Sequence, residues 1–128
     1  MADNPTGTAS GKTSAGDQAE DAALKFLKRQ GLKPLERNYR CRRGEIDLIM
    51  RDAEWIVFVE VRFRRQGSTV SALESVSHGK QNRIRATALH YLQSKRINPD
   101  ATPLRFDVIA MSGSAPSFET NWIKSALD

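Results

Sequence analysis

The chain has 128 residues and a formal net charge of +5, with 39% hydrophobic and 27% charged residues and a single cysteine. That length buries one sizeable core without disulfides or metal, and the composition excludes a chain disordered throughout. The longest apolar run, Trp55 to Val59, is far short of the ~20 residues of a membrane helix. The lone Cys41 excludes an internal disulfide framework and implies a reducing, cytoplasmic setting.

Residues 25–96 hold seventeen Lys and Arg against seven Asp and Glu, a net of +10, and the flanks are net −5. A domain with positive charge concentrated in its middle attracts polyanions, nucleic acid first among them. A basic but inert solvated surface would carry the same numbers.

Residues 1–13 are small and polar and read as a disordered tail, with no apolar stretch of the signal-peptide kind; residues 14–128 form one domain. Gly11-Lys12-Thr13 lacks the earlier glycine and the strand a phosphate loop needs. A helix is expected from Ser14, which has Asp17 three residues on, and Ala19, Ala23, Phe26 and Leu27 share one face; Gly31 stops it. Glu20 sits at the edge of that apolar stripe. A strand over 32–41 follows, with Pro34 at its start or on an edge. Arg40-Cys41-Arg42-Arg43-Gly44 is a basic turn. In Glu45–Met50, Ile46, Leu48 and Met50 alternate onto one face, and Asp52-Ala53 serves as the next turn. Trp55–Arg62 is apolar on both faces until Glu60, as for a central strand. A Gly/Ser loop at 66–71 and a helical turn near 72–76 lead to Ser77, the cap of a helix that runs to about Arg96. Lys80, Arg83 and Arg85 gather near its start, where the helix dipole does not favour cations. Leu104–Met111 is a strand reached by a crossover and therefore parallel to its neighbour. The type of the last element, 118–127, is open.

The chemistry concentrates on two strands. With Arg51 opposite Glu54, Glu45 lies opposite Glu60, and Asp47 lies opposite Phe58 and diagonal to Glu60. Arg62 shares their face. Like charges facing each other across strands destabilise a sheet, and close carboxylates repel unless compensated. A divalent cation resolves this, since oxygen donors suit Mg²⁺ or Mn²⁺. An ion pair of Arg62 with Glu60 or Glu45 resolves it equally. His78 and His90 have no Cys partner nearby and make no zinc site. Asp107, in an apolar strand, reads as a structural hydrogen-bond or ion-pair residue. Trp55 and Phe58 read as core, and Trp122 as packing the last element onto the sheet.

Gly44-Glu45-Ile46-Asp47-Leu48-Ile49 followed by Glu60-Val61-Arg62, in the element order αβββαβ, resembles the YraN family of bacterial endonuclease-like proteins. More distantly it is similar to archaeal Holliday junction resolvases. The resemblance covers about residues 14–127 and extends to Glu20, Asn38-Tyr39-Arg40, Lys80-Gln81 and Arg105–Val108. It implies a restriction-endonuclease-like α/β core, with a central mixed sheet flanked by helices. It implies Asp47, Glu60 and the Val61 carbonyl as metal ligands, Glu20 as an acidic residue from the first helix, and Gln81 as a helix residue completing the site. Arg62 stands where the motif carries lysine. Arginine keeps the charge and binds phosphate, but it cannot act as a base. The implied activity is Mg²⁺- or Mn²⁺-dependent hydrolysis of DNA phosphodiester bonds, selective for structure (junction, flap or end) rather than sequence. Arg40, Arg42, Arg43, Arg64, Arg65 and Lys80 would hold the nucleic-acid backbone. A symmetric junction substrate would call for a homodimer. Two other readings stand beside this one: a catalytically weak or inactive nucleic-acid-binding module on the nuclease scaffold, and an adaptor docking an acidic protein.

Overall fold

The computed structural model describes residues 14–64 and 75–127. The expected polar tail, the Gly/Ser loop and Arg65 lie outside the described residues. So do positions 72–74 of the expected helical turn, of which Ser75 and Val76 are described as a turn and a bend.

Helix α1 spans Ala15–Arg29, strand β1 Lys33–Cys41, β2 Gly44–Asp52, β3 Trp55–Arg64, helix α2 His78–Ser94, β4 Leu104–Ser112 and β5 Glu119–Ile123. The last element is therefore a strand. Both helices start where a hydroxyl caps them. Ser14 accepts from the Asp17 N–H at 3.1 Å, and Ser77 from the Lys80 N–H at 3.2 Å. Gly31, at φ +97°, lets the chain leave α1 in the left-handed conformation that glycine adopts without strain.

The five strands form one mixed sheet in the order β1-β2-β3-β4-β5. β1, β2 and β3 run antiparallel, β3 and β4 parallel across the α2 crossover, and β4 and β5 antiparallel. β3 is central, which explains its apolar residues on both faces. Ile56 and Phe58 join Ile84, Ala88, Tyr91 and Leu92 of α2 in one core. Val57 and Val59 join Ala19, Ala23 and Leu27 of α1 in the other. Each such large apolar side chain, fully buried, contributes roughly 1.5–3 kcal/mol.

Three details differ from the sequence reading. The β2–β3 hairpin closes on Ala53-Glu54, with Asp52 paired to Trp55 and Ile49 to Phe58. Ala53 takes φ +55°, the conformation a tight hairpin turn demands. Trp55 is not core: beside the turn, it stays 38% exposed. Ile46 does not share a cluster with Leu48 and Met50. It packs on the α2 side, whereas they pack on the α1 side. The β2–β3 ladder ends at Leu48↔Val59, and beyond that pair β2 is free to twist away from β3.

The C-terminal edge is pinned from within. Asp107, 0% exposed, accepts from Arg105 Nε at 3.0 Å, Trp122 Nε1 at 2.9 Å and the Ser125 N–H at 2.9 Å. Arg105 also reaches Asp52 at 3.1 Å, so one charge network, buried at Asp107 and partly exposed at Asp52, ties β4 and β5 to the β2–β3 turn. Arg85 belongs to this end too: it donates to the Leu127 carbonyl, away from Lys80. Truncating Asp107 leaves Arg105 Nε and two further donors without their acceptor, with only the partly exposed Asp52 left to pair the guanidinium. Asp107→Ala is expected to cost about 3–5 kcal/mol of stability in urea denaturation, against less than half of that for Trp122→Phe, which removes one neutral donor.

Candidate functional site

The site forms where β2 leaves β3. Past Leu48↔Val59 the Val61 N–H, which faces β2, donates to the Asp47 carboxylate at 2.8 Å. A side chain thus takes the place of a ladder carbonyl, and the two strands splay. Continuing the ladder by one step sets Asp47 alongside Glu60. The expected register put Asp47 opposite Phe58, and moving the turn by one residue shifts the pairing by two. Faces are unchanged by an even shift, so the carboxylates come closer without leaving their side of the sheet.

Glu60 is only 4% exposed. Its Oε2 meets Lys80 Nζ at 2.8 Å and Arg62 NH1 at 3.5 Å. The helix-start lysine therefore reaches the carboxylate, an approach that sequence spacing does not reveal. Arg62 is anchored away from the centre: its Nε donates to Ser75 Oγ at 2.9 Å and its NH2 to the Ser75 carbonyl at 3.4 Å. Gln81 donates from Nε2 to the Val76 carbonyl at 3.1 Å.

A cavity of about 110 Å³ opens over the pair, lined by Gly44, Glu45, Asp47, Glu60, Lys80, Arg83 and Ile84. Glu20, Arg62 and Gln81 lie outside this lining. Glu20 accepts from Asn38 Nδ2 at 3.0 Å, and Asn38 also reaches Glu45 Oε2 at 3.4 Å. Asn38, at φ +52°, thus bridges the α1 carboxylate to the rim. Glu45 does not oppose Glu60; it pairs with Arg40 Nε at 3.1 Å. Gly44 brings the basic turn against α2. A Cβ there would meet Thr87 Oγ1 at 3.1 Å, and its φ of +152° is one that side-chain-bearing residues rarely adopt.

Of the expected basic residues, Arg40, Arg42 and Arg43 are exposed around the β1–β2 turn. Arg64 is half-buried at the end of β3 that points the same way. Arg83 lines the cavity itself; its spacing of three from Lys80 was the signal for it.

Asp47 carries the electrostatic cost of this packing. Burial, then the Glu60 charge and more weakly Glu20, push its carboxyl up to about 8, against the opposing pull of the Val61 N–H. Among the described residues no three His, Cys, Asp or Glu side chains converge to hold a metal unaided. The donors present are two carboxylates, plus the Val61 carbonyl, which leaves the same strand edge as its N–H. Hard oxygen donors of this kind fit a divalent cation that keeps several waters.

A mixed five-stranded sheet between two helices, with an acidic pair where its central strands part, is a restriction-endonuclease-like α/β core. The chain belongs to the Uncharacterised protein family UPF0102, which is the YraN family; the family model matches residues 19–111. It is 48% identical to a UPF0102 protein of Pseudomonas syringae pv. tomato, covering 89% of this chain and 92% of the relative. A UPF0102 protein of Aeromonas hydrophila is also 48% identical, covering 88% and 84%. The UPF0102 protein NE0719 of Nitrosomonas europaea is 45% identical, covering 88% and 92%.

A carboxyl raised in the folded state binds a proton there that the unfolded chain has released. Asp47 therefore contributes stability below the ordinary carboxylate range that is lost as pH rises through about 8. Asp47→Asn removes this dependence. In metal-free thermal denaturation its melting temperature is expected to gain on that of the native chain between pH 5 and pH 8.5.

Proposed function

We propose that this protein is a metal-dependent endonuclease that hydrolyses phosphodiester bonds in DNA of particular structure. The observation that carries the reading is the Asp47–Glu60 pair: two carboxylates packed together at a strand parting, under a cavity rimmed by cations. Structural ion pairs do not need a second acid in contact with the first. A buried Glu60 with a half-buried Asp47 against it, beside Lys and Arg, suits phosphate chemistry through a cation.

Asp47, Glu60 and the Val61 carbonyl would hold Mg²⁺ or Mn²⁺. When bound, the ion supplies a water of lowered pKa and neutralises the scissile phosphate. The Val61 N–H fixes the Asp47 carboxylate from behind. Arg62, tethered by Ser75, adds fixed positive charge beside Glu60 rather than a proton acceptor. Glu20 adds negative potential from α1. Gln81 secures the start of α2 against Val76. Arg40, Arg42, Arg43, Arg64 and Lys80 lie on or near the end of the sheet that holds the site. Together with Arg65 they supply backbone contacts that position nucleic acid without reading bases. The cytoplasm, where the DNA is, matches the unpaired Cys41. No helix among the described residues is long and apolar enough to cross a membrane.

A second reading, a nucleic-acid-binding module that has lost catalysis, is favoured by one observation. The motif's lysine position is Arg62, and its guanidinium is committed to Ser75. Labelled junction, flap and single-stranded DNA incubated with Mg²⁺ or Mn²⁺ separates the two. The nuclease gives cleavage that Asp47→Ala and Glu60→Ala both abolish. Salt-dependent binding with no cleavage on any of these substrates would establish the module instead.

A further inference from the structure

Lys80 is used by no step above except as a phosphate contact, yet its ammonium makes the shortest ion pair at the site. It lies 2.8 Å from Glu60 Oε2, inside the cavity that Asp47 and Glu60 share. Its side chain is 35% exposed while Glu60 is 4% exposed, so the lysine reaches inward from solvent on a flexible four-carbon stem. Arg62 differs. Two of its nitrogens are held by Ser75 and the third stands 3.5 Å from Glu60, so it is a fixed charge. One cation of this site is therefore tethered and the other can leave.

A divalent ion held by Asp47 and Glu60 would share Glu60 and the cavity with Lys80. An ammonium on Glu60 Oε2 and an ion on the same oxygen repel each other at short range. We infer that Lys80 is the built-in counter-ion of the carboxylate pair: it holds Glu60 in the metal-free protein, is displaced when a divalent cation binds, and then faces the cavity mouth to meet a phosphate oxygen. The charge that the motif's lysine would deliver from position 62 comes here from the start of α2. This inference rests on the metal-dependent reading and adds an exchange of cations to it.

The exchange has a signature in metal binding itself, apart from activity. Mn²⁺ binding is measured by calorimetry on the native chain, on Lys80→Met, which keeps the apolar stem, and on Lys80→Gln, with circular dichroism to show that each is folded. Removing the competing ammonium is expected to lower the Kd for Mn²⁺ about tenfold in both variants, the scale of one charge-assisted hydrogen bond, while DNA cleavage falls. Adding Asp47→Asn to either is expected to abolish that binding. Unchanged or weaker Mn²⁺ affinity in both Lys80 variants, with the native chain still binding through Asp47, would overturn the exchange and leave the metal-dependent reading intact. Absence of Mn²⁺ binding in all three proteins, or binding indifferent to Asp47→Asn, would overturn that reading itself.

Discussion

The structure turns on one hydrogen bond, from the Val61 N–H to the Asp47 carboxylate. Where a strand pair would continue by main-chain bonding, an acidic side chain takes the donor, and the ladder stops at Leu48↔Val59. The parting of β2 from β3 makes the cavity, exposes one edge of β3, and sets Asp47 beside Glu60. Bringing two carboxylates together in this way is unfavourable without a cation. Most of what surrounds the pair answers that constraint: Lys80 and Arg62 on Glu60, Arg83 on the cavity wall, and the basic β1–β2 turn beyond it.

A strained centre needs a rigid frame. The two cores clamp β3 from both faces, so its acidic end cannot drift. The Asp107 network does the same for the far side of the sheet, linking β4, β5 and the hairpin turn through charge-assisted bonds. Gly44 serves the opposite end. Its backbone conformation and missing side chain let the Arg42-Arg43 turn sit against α2, which closes the cavity over the acids. The overall charge of +5 thus describes a basic rim around an acidic floor.

Much of this could be read in the residues. Helical spacing, Ser14, Ser77 and Gly31 gave both helices and their caps, because capping and periodicity are local effects. The parallel β3–β4 pairing followed from the intervening helix. Strand alternation puts Glu45, Asp47, Glu60 and Arg62 on one face; the hairpin turn one residue further on is an even shift that keeps Asp47 with Glu60, while Glu45 goes to Arg40 instead of Glu60. What could not be read depended on distant packing. Lys80 meets Glu60 only through the packing of α2 on β3. Ser75 fixes Arg62 from a segment with no periodic signal. Trp55 has the apolar character of a core residue, but it sits beside the hairpin turn and stays exposed. The break of alternation at Ile46 follows from a ladder that ends at a side chain, which no hydrophobic pattern encodes.

The central claim is that the Asp47–Glu60 pair is built for a divalent cation. Anomalous diffraction from crystals soaked in Mn²⁺ tests it most directly. One strong peak is expected within coordinating distance of both carboxylates, with the Lys80 ammonium withdrawn from Glu60. A site that stays without anomalous signal at saturating Mn²⁺, with Lys80 still bonded to Glu60, would contradict it.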